Sequence, residues 1–162
     1  MRRIGVVVNP VAGMGGRVGL KGTDGKVAEA RERGAEPRAP ARARDALDAL
    51  DAADADVEVY ACGGVMGEDQ ARAAGFDPVV VGHPSGEGEG TDGPSDGADG
   101  SSDAGHGPGT FGTTAEDTRR AVRAFVDSGV DLILFVGGDG TAVDVAETLD
   151  DLGSETPILG VP

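Results

Sequence analysis

The chain has 162 residues, enough for one domain, and its apolar residues are mostly small: aromatics make up 3% and Trp is absent. With 29 acidic against 14 basic residues the net charge is −15, which repels nucleic acid and anionic membranes, so a phosphate-bearing ligand must be held locally by amides, a few cations or a metal ion. One cysteine, Cys62, excludes an intrachain disulfide; no stretch reads as a membrane span or signal peptide, and a cytoplasmic location is expected.

The first apolar, β-branched run, Ile4 to Val8, predicts a strand that empties into the small-residue loop Asn9-Pro10-Val11-Ala12-Gly13-Met14-Gly15-Gly16. Ala41 to Ala53 carries Ala43, Ala46, Leu47 and Leu50 on one helical face, and Val57 to Ala61 follows as a second strand. Cys62 behind that strand reads as a small buried packing residue; a catalytic thiol would want a nearby histidine or a helix N-terminus. A short alanine-rich helix, Gly67 to Ala74, precedes a third strand, Pro78 to Gly82.

Residues 84 to 110 interrupt this rhythm with Gly, Ser, Asp and Pro and almost no large apolar side chain, an exposed acidic insertion that cannot bury enough surface to order itself. Glu87, Glu89, Asp92, Asp96, Asp99 and Asp103 lie there without a base, yet removing them still leaves a charge of −9. His83 and His106, beside and within the insertion, read as solvent-facing histidines, and no spacing here matches a zinc site. Strand and helix alternation then resumes. Thr114 and Asp117 resemble a capping box for a helix over Ala115 to Ser128, with Gly129 as its stop.

A fourth strand, Asp131 to Val136, runs into Gly137-Gly138-Asp139-Gly140-Thr141, and a helix is expected over Ala142 to Leu152, ended by Gly153. This junction admits two readings. Either Gly137 to Gly140 form a plain strand-to-helix turn with Asp139 as helix N-cap, or the glycines let backbone amides approach a phosphate while Asp139 accepts a proton, orients a hydroxyl or holds a metal ion. The second glycine-bearing loop, after the first strand, favours the ligand site, because two such loops in one α/β pattern can converge. Pro157 to Gly160 closes the series as a fifth strand, and the end at Pro162 without a covering helix suggests a partial product. The alternation predicts an α/β fold of three layers, a mainly parallel sheet with helices on both faces.

Several chemistries fit poorly. Val18 stands where the third glycine of the dinucleotide fingerprint belongs, neither Lys21 nor Lys26 follows glycines at Walker A spacing, and no Ser-His-Asp set assembles. The acidic, lysine-poor surface resembles that of cytoplasmic proteins from salt-loving archaea.

Asn9-Pro10-Val11-Ala12-Gly13, the glycine run on to Gly22, and Gly137-Gly138-Asp139-Gly140-Thr141 together resemble the ATP-NAD kinase family, in particular its AcoX-like branch. The GGDGT segment is shared with diacylglycerol and sphingosine lipid kinases. The resemblance implies a single nucleotide-binding domain over residues 1–162, normally followed by a β-rich, NAD-binding domain and an Asn-Glu motif that this chain lacks. It implies transfer of the ATP γ-phosphate to the 2′-hydroxyl of NAD, with Mg²⁺ as cofactor. Asp139 is then the catalytic residue, and Asn9, Gly13, Gly15, Gly16, Gly137, Gly138, Gly140 and Thr141 are the nucleotide-binding residues. No dedicated metal ligand is assigned; a metal role for Asp144 is secondary to its reading as a helix-surface carboxylate, and Lys21 is as readily solvated as phosphate-bound. Nucleotides are the expected partners, without nucleic acid or membrane, and a homo-oligomer is compatible with this reading. A lipid or other small-molecule kinase, or a non-catalytic nucleotide-binding module, are the alternatives.

Overall fold

The computed structural model describes residues 1–12, 36–85 and 113–162. Five strands form one sheet in the order β3-β2-β1-β4-β5, with every neighbouring pair parallel. They are β1 (Arg2–Val8), β2 (Val57–Ala61), β3 (Val79–Val80), β4 (Leu132–Val136) and β5 (Ile158–Val161). The helices are α1 (Ala39–Ala52), α2 (Glu68–Ala73), α3 (Ala115–Asp127) and α4 (Asp139–Asp151).

Strand alternation builds the two cores. On one face Ile4, Val6 and Val8 of β1 meet Leu134 and Val136 of β4 and are covered by Ala39, Ala43 and Leu47 of α1 and Ala71 of α2. On the other, Val7, Ile133 and Phe135 pack under Ala121, Val122 and Phe125 of α3 and Val145 and Leu149 of α4. Central strands sandwiched between helices must be apolar on both sides, which is why they read as unbroken Val, Ile and Leu runs. Gly5 leaves a socket for the fully buried Phe125 ring: a Cβ there would stand 2.7 Å from the ring.

Element ends differ from the expected ones for local reasons. Helix α1 starts at Ala39 because Pro40 sits in its first turn, where a missing N–H costs nothing. Strand β3 keeps two residues instead of five, since it pairs only with β2 and Pro78 cannot donate to a ladder. Strand β5 runs one residue further, to Val161, whose carbonyl accepts the Gly137 amide at 3.1 Å. The expected capping box is formed at α3, and Gly129 behind it takes φ +68°, the left-handed conformation that stops a helix.

Asp117 does more than cap. Its buried carboxylate accepts from the Ser85 amide at 2.9 Å, from the Ser85 hydroxyl and from the Thr114 amide at 2.8 Å, and it pairs with Arg120. Ser85 and Thr114 lie on opposite sides of the acidic insertion in sequence, so one side chain ties together the segments that flank it. Burial alone would raise the Asp117 carboxyl, but the hydrogen bonds from Ser85 and Thr114 outweigh it and hold the group below the usual carboxylate range.

Candidate functional site at the carboxyl ends of the central strands

The chain leaves β1 toward β2 and β3 on one side of the sheet and returns to β4 on the other, so the strand order reverses between β1 and β4. In open α/β sheets the crevice beyond the carboxyl ends of the strands at such a switch point is where ligands bind. Val8 and Val136, the last residues of the two strands, are register partners. The loops beginning at Asn9 and Gly137 therefore start side by side.

They are also bonded to each other. Asn9 Nδ2 donates to Thr141 Oγ1 at 3.1 Å, the Asn9 amide donates to the Val136 carbonyl at 2.9 Å, and Asn9 Oδ1 accepts the Val11 amide at 3.2 Å. Thr141 is buried, and its hydroxyl lies under Gly137, where an added Cβ would approach Oγ1 to 2.3 Å. Only glycine fits over this threonine. Asn9 and Thr141 thus lock the two loops together, a positioning role that local reading of either loop does not reveal.

The helix begins three residues earlier than its periodicity suggested. Gly138 is the N-cap and Asp139 the first helical residue, which corrects the reading of Asp139 as the cap. The Asp139 side chain is exposed and has no hydrogen-bond or ion-pair partner among the described residues. The Gly137 amide is committed to Val161 of β5, so it is not one of the donors to a ligand; this too departs from the expectation. The amides of Gly138, Asp139, Gly140 and Thr141 make no hydrogen bond among the described residues and open at the positive end of the α4 dipole.

Gly13, Gly15, Gly16, Lys21 and His106 lie outside the described residues. Asp144 faces α3 and pairs with Arg119 at 2.7 Å, so it stitches two helices. Cys62 is buried, as expected of a packing residue, and the exposed His83 lies against Gly63. Among the described residues no group of three or more His, Cys, Asp or Glu is gathered as a metal site, and no helix is long and apolar enough to cross a membrane.

One feature escaped the sequence reading. A cavity of about 220 Å³ opens beside the glycine turn, lined among the described residues by Gly137 and Gly138 together with Arg38, Ala39 and Arg42 from the start of α1. Ala12, Glu36 and Pro162 also line it. The available signal was Arg38, Arg42 and Arg44 within seven residues of a strongly acidic chain.

A family model described as the ATP-NAD kinase N-terminal domain matches residues 4–162. The chain belongs to that family. No curated protein and no solved structure matches it. Membership makes this ATP-NAD kinase N-terminal domain an NAD kinase-like phosphotransferase domain, a family whose general substrates are ATP and NAD, and its all-parallel α/β sheet agrees with that assignment.

Proposed function

We propose that the crevice between β1 and β4 holds the phosphates of ATP while the γ-phosphoryl group moves to the 2′-hydroxyl of the adenosine ribose of NAD. The observation that carries this reading is the Asn9–Thr141 bond, which joins the first residue after β1 to the glycine turn after β4 at the switch point of the sheet. Phosphoryl transfer asks a protein mainly for positioning and charge stabilisation. Both are supported by what stands here: unpaired first-turn amides at Gly138 and Gly140 for phosphate oxygens, and an unpartnered Asp139 carboxylate next to them.

Asp139 orients the acceptor hydroxyl and takes its proton as the oxygen attacks phosphorus. Thr141 and Asn9 keep the turn in place from beneath, and the buried Thr141 hydroxyl still has a proton to donate. Mg²⁺ is ordinarily held by one or two carboxylates together with substrate phosphates, and Glu36 is the carboxylate that lines the cavity beside the turn. Bound there, the ion would neutralise phosphate charge that the acidic surface repels. The glycine run from Gly13 to Gly22 favours the NAD kinase side over the lipid kinases, and the acidic surface supports work in a salty cytoplasm on nucleotides, away from nucleic acid and membranes.

The test is Asp139→Asn in the intact protein. NADP formation from ATP and NAD should fall by about 10²–10⁴-fold, the range for loss of a general base, with the circular dichroism spectrum unchanged. Unchanged turnover would remove Asp139 from the chemistry. Phosphorylation of a lipid in place of NAD would move the domain to the lipid-kinase reading, and nucleotide binding without transfer would make it a binding module.

A further inference from the structure

An acidic protein that handles polyphosphates needs cations at the point of contact, and most arginines in the described residues are already used. Arg3, Arg44, Arg72, Arg119, Arg120 and Arg123 each pair with a carboxylate. Among the others in the described residues, Arg2 lies at the amino end of β1, the far end of the sheet from the glycine turns. Arg38 and Arg42 both line the 220 Å³ cavity beside Gly137 and Gly138. Neither pairs with a carboxylate among the described residues, although Glu36 shares their rim. Arg42 Nη1 donates instead to the Pro162 carbonyl just beyond β5, which ties its guanidinium to the rim, and the Arg38 side chain makes no hydrogen bond among the described residues.

We propose that this cavity seats a linear phosphate chain, with Arg38 and Arg42 supplying the positive charge of its lining and Gly137 and Gly138 the backbone. The proposal rests on the phosphotransfer reading above and adds to it the residues that bind the donor. Guanidinium forks match phosphate oxygens in geometry and charge, and they remain protonated at any working pH. A volume of about 220 Å³ has room for a phosphate chain. Glu36 disfavours a bare anion on this rim and favours a chain that carries Mg²⁺.

The ligand chemistry is shared by nucleoside triphosphates and inorganic condensed phosphates, and a calorimetric titration separates them. The intact protein is titrated at fixed salt with inorganic tripolyphosphate and with ATP, each with Mg²⁺, as the wild type, Arg38→Ala, Arg38→Ala with Arg42→Ala, and Asp139→Asn. Loss of Arg38 should weaken tripolyphosphate binding about tenfold and loss of both arginines about a hundredfold, one charge-assisted contact per side chain. Arg38→Ala has no bond in the fold to lose, so its melting temperature should match the wild type and its affinity change reports binding alone. Asp139→Asn should retain tripolyphosphate affinity. ATP binding with the same arginine dependence identifies a nucleotide donor, and tripolyphosphate binding without ATP binding identifies an inorganic one; both uphold the cavity. Tripolyphosphate affinity that ignores the arginines, or its absence from the wild type, overturns the proposal. Arginine-dependent binding together with an Asp139→Asn enzyme of full activity would leave the phosphate seat standing and remove the catalytic reading.

Discussion

Helices α3 and α4 each carry an aspartate in the first turn, yet the two starts are built in opposite ways. At α3 the Thr114 hydroxyl accepts the Asp117 amide, and the Asp117 carboxylate gathers amides, hydroxyls and a guanidinium until it is fully buried. At α4 the cap is Gly138, no side chain satisfies the first-turn amides, and Asp139 stands in solvent without a partner. Acceptors are placed where the chain has to be closed, around the base of the insertion. They are withheld where the strand order reverses and a ligand can supply them. A helix start left open costs about 1 kcal/mol in missing cap energy, and under the proposed function a bound phosphate would supply the missing acceptors.

This contrast is open to experiment. Its largest expected effect is the loss of about 10²–10⁴-fold in turnover for Asp139→Asn, accompanied by a stability change within about 0.5 kcal/mol, as for an exposed residue with no partner. Asp117→Ala should do the reverse. Losing the cap and leaving the Ser85 and Thr114 amides without their acceptor should lower unfolding free energy in urea by about 2–3 kcal/mol, with the Arg120 pair adding little because Arg120 is half exposed. A variant that melts like the wild type would show that the insertion's flanks are held by something else.

Acid sharpens the same distinction. The folded carboxyl of Asp117 lies below its ordinary value of 3.8, so its stabilising contribution is complete above that pH and is lost as pH falls through the folded value. Glu68, held low first by the Gly64 amide, has the same sign. Unfolding free energy should therefore drop below about pH 4, and the drop should be shallower in Asp117→Asn, as measured by urea melts across pH. The smallest effect belongs to the lock beneath the site. Thr141→Val removes the acceptor of Asn9 at nearly constant volume and should cost about 1 kcal/mol, with faster hydrogen exchange at the Asn9 and Val11 amides.

Much of the fold is legible because its signals are local. Val57–Ala61 is delimited by apolar content and the glycines behind it, and α3 is announced by Thr114, Asp117 and Gly129, three residues that cap a helix wherever they fall at this spacing. Asp139 stands out by its place between glycines after a buried strand, although a plain helix cap reads the same way locally. The start of α4 is harder to see. Two glycines and a threonine have poor helix propensity, and what brings them into the helix's start is the Asn9–Thr141 bond, formed across 132 positions of sequence. The Gly137 amide misleads in the same way: nothing in its neighbours says that Val161 will take it.

Residue order by itself determined the alternation of strand and helix, the caps and the two glycine-bearing loops, because each depends on side chains within a few positions of one another. Tertiary structure decided that β1 lies between β2 and β4, that the two loops meet at that reversal, and that Arg38 and Arg42 arrive beside Gly137 and Gly138. Strand order is set by which apolar faces bury each other across the whole chain, and no local period encodes it.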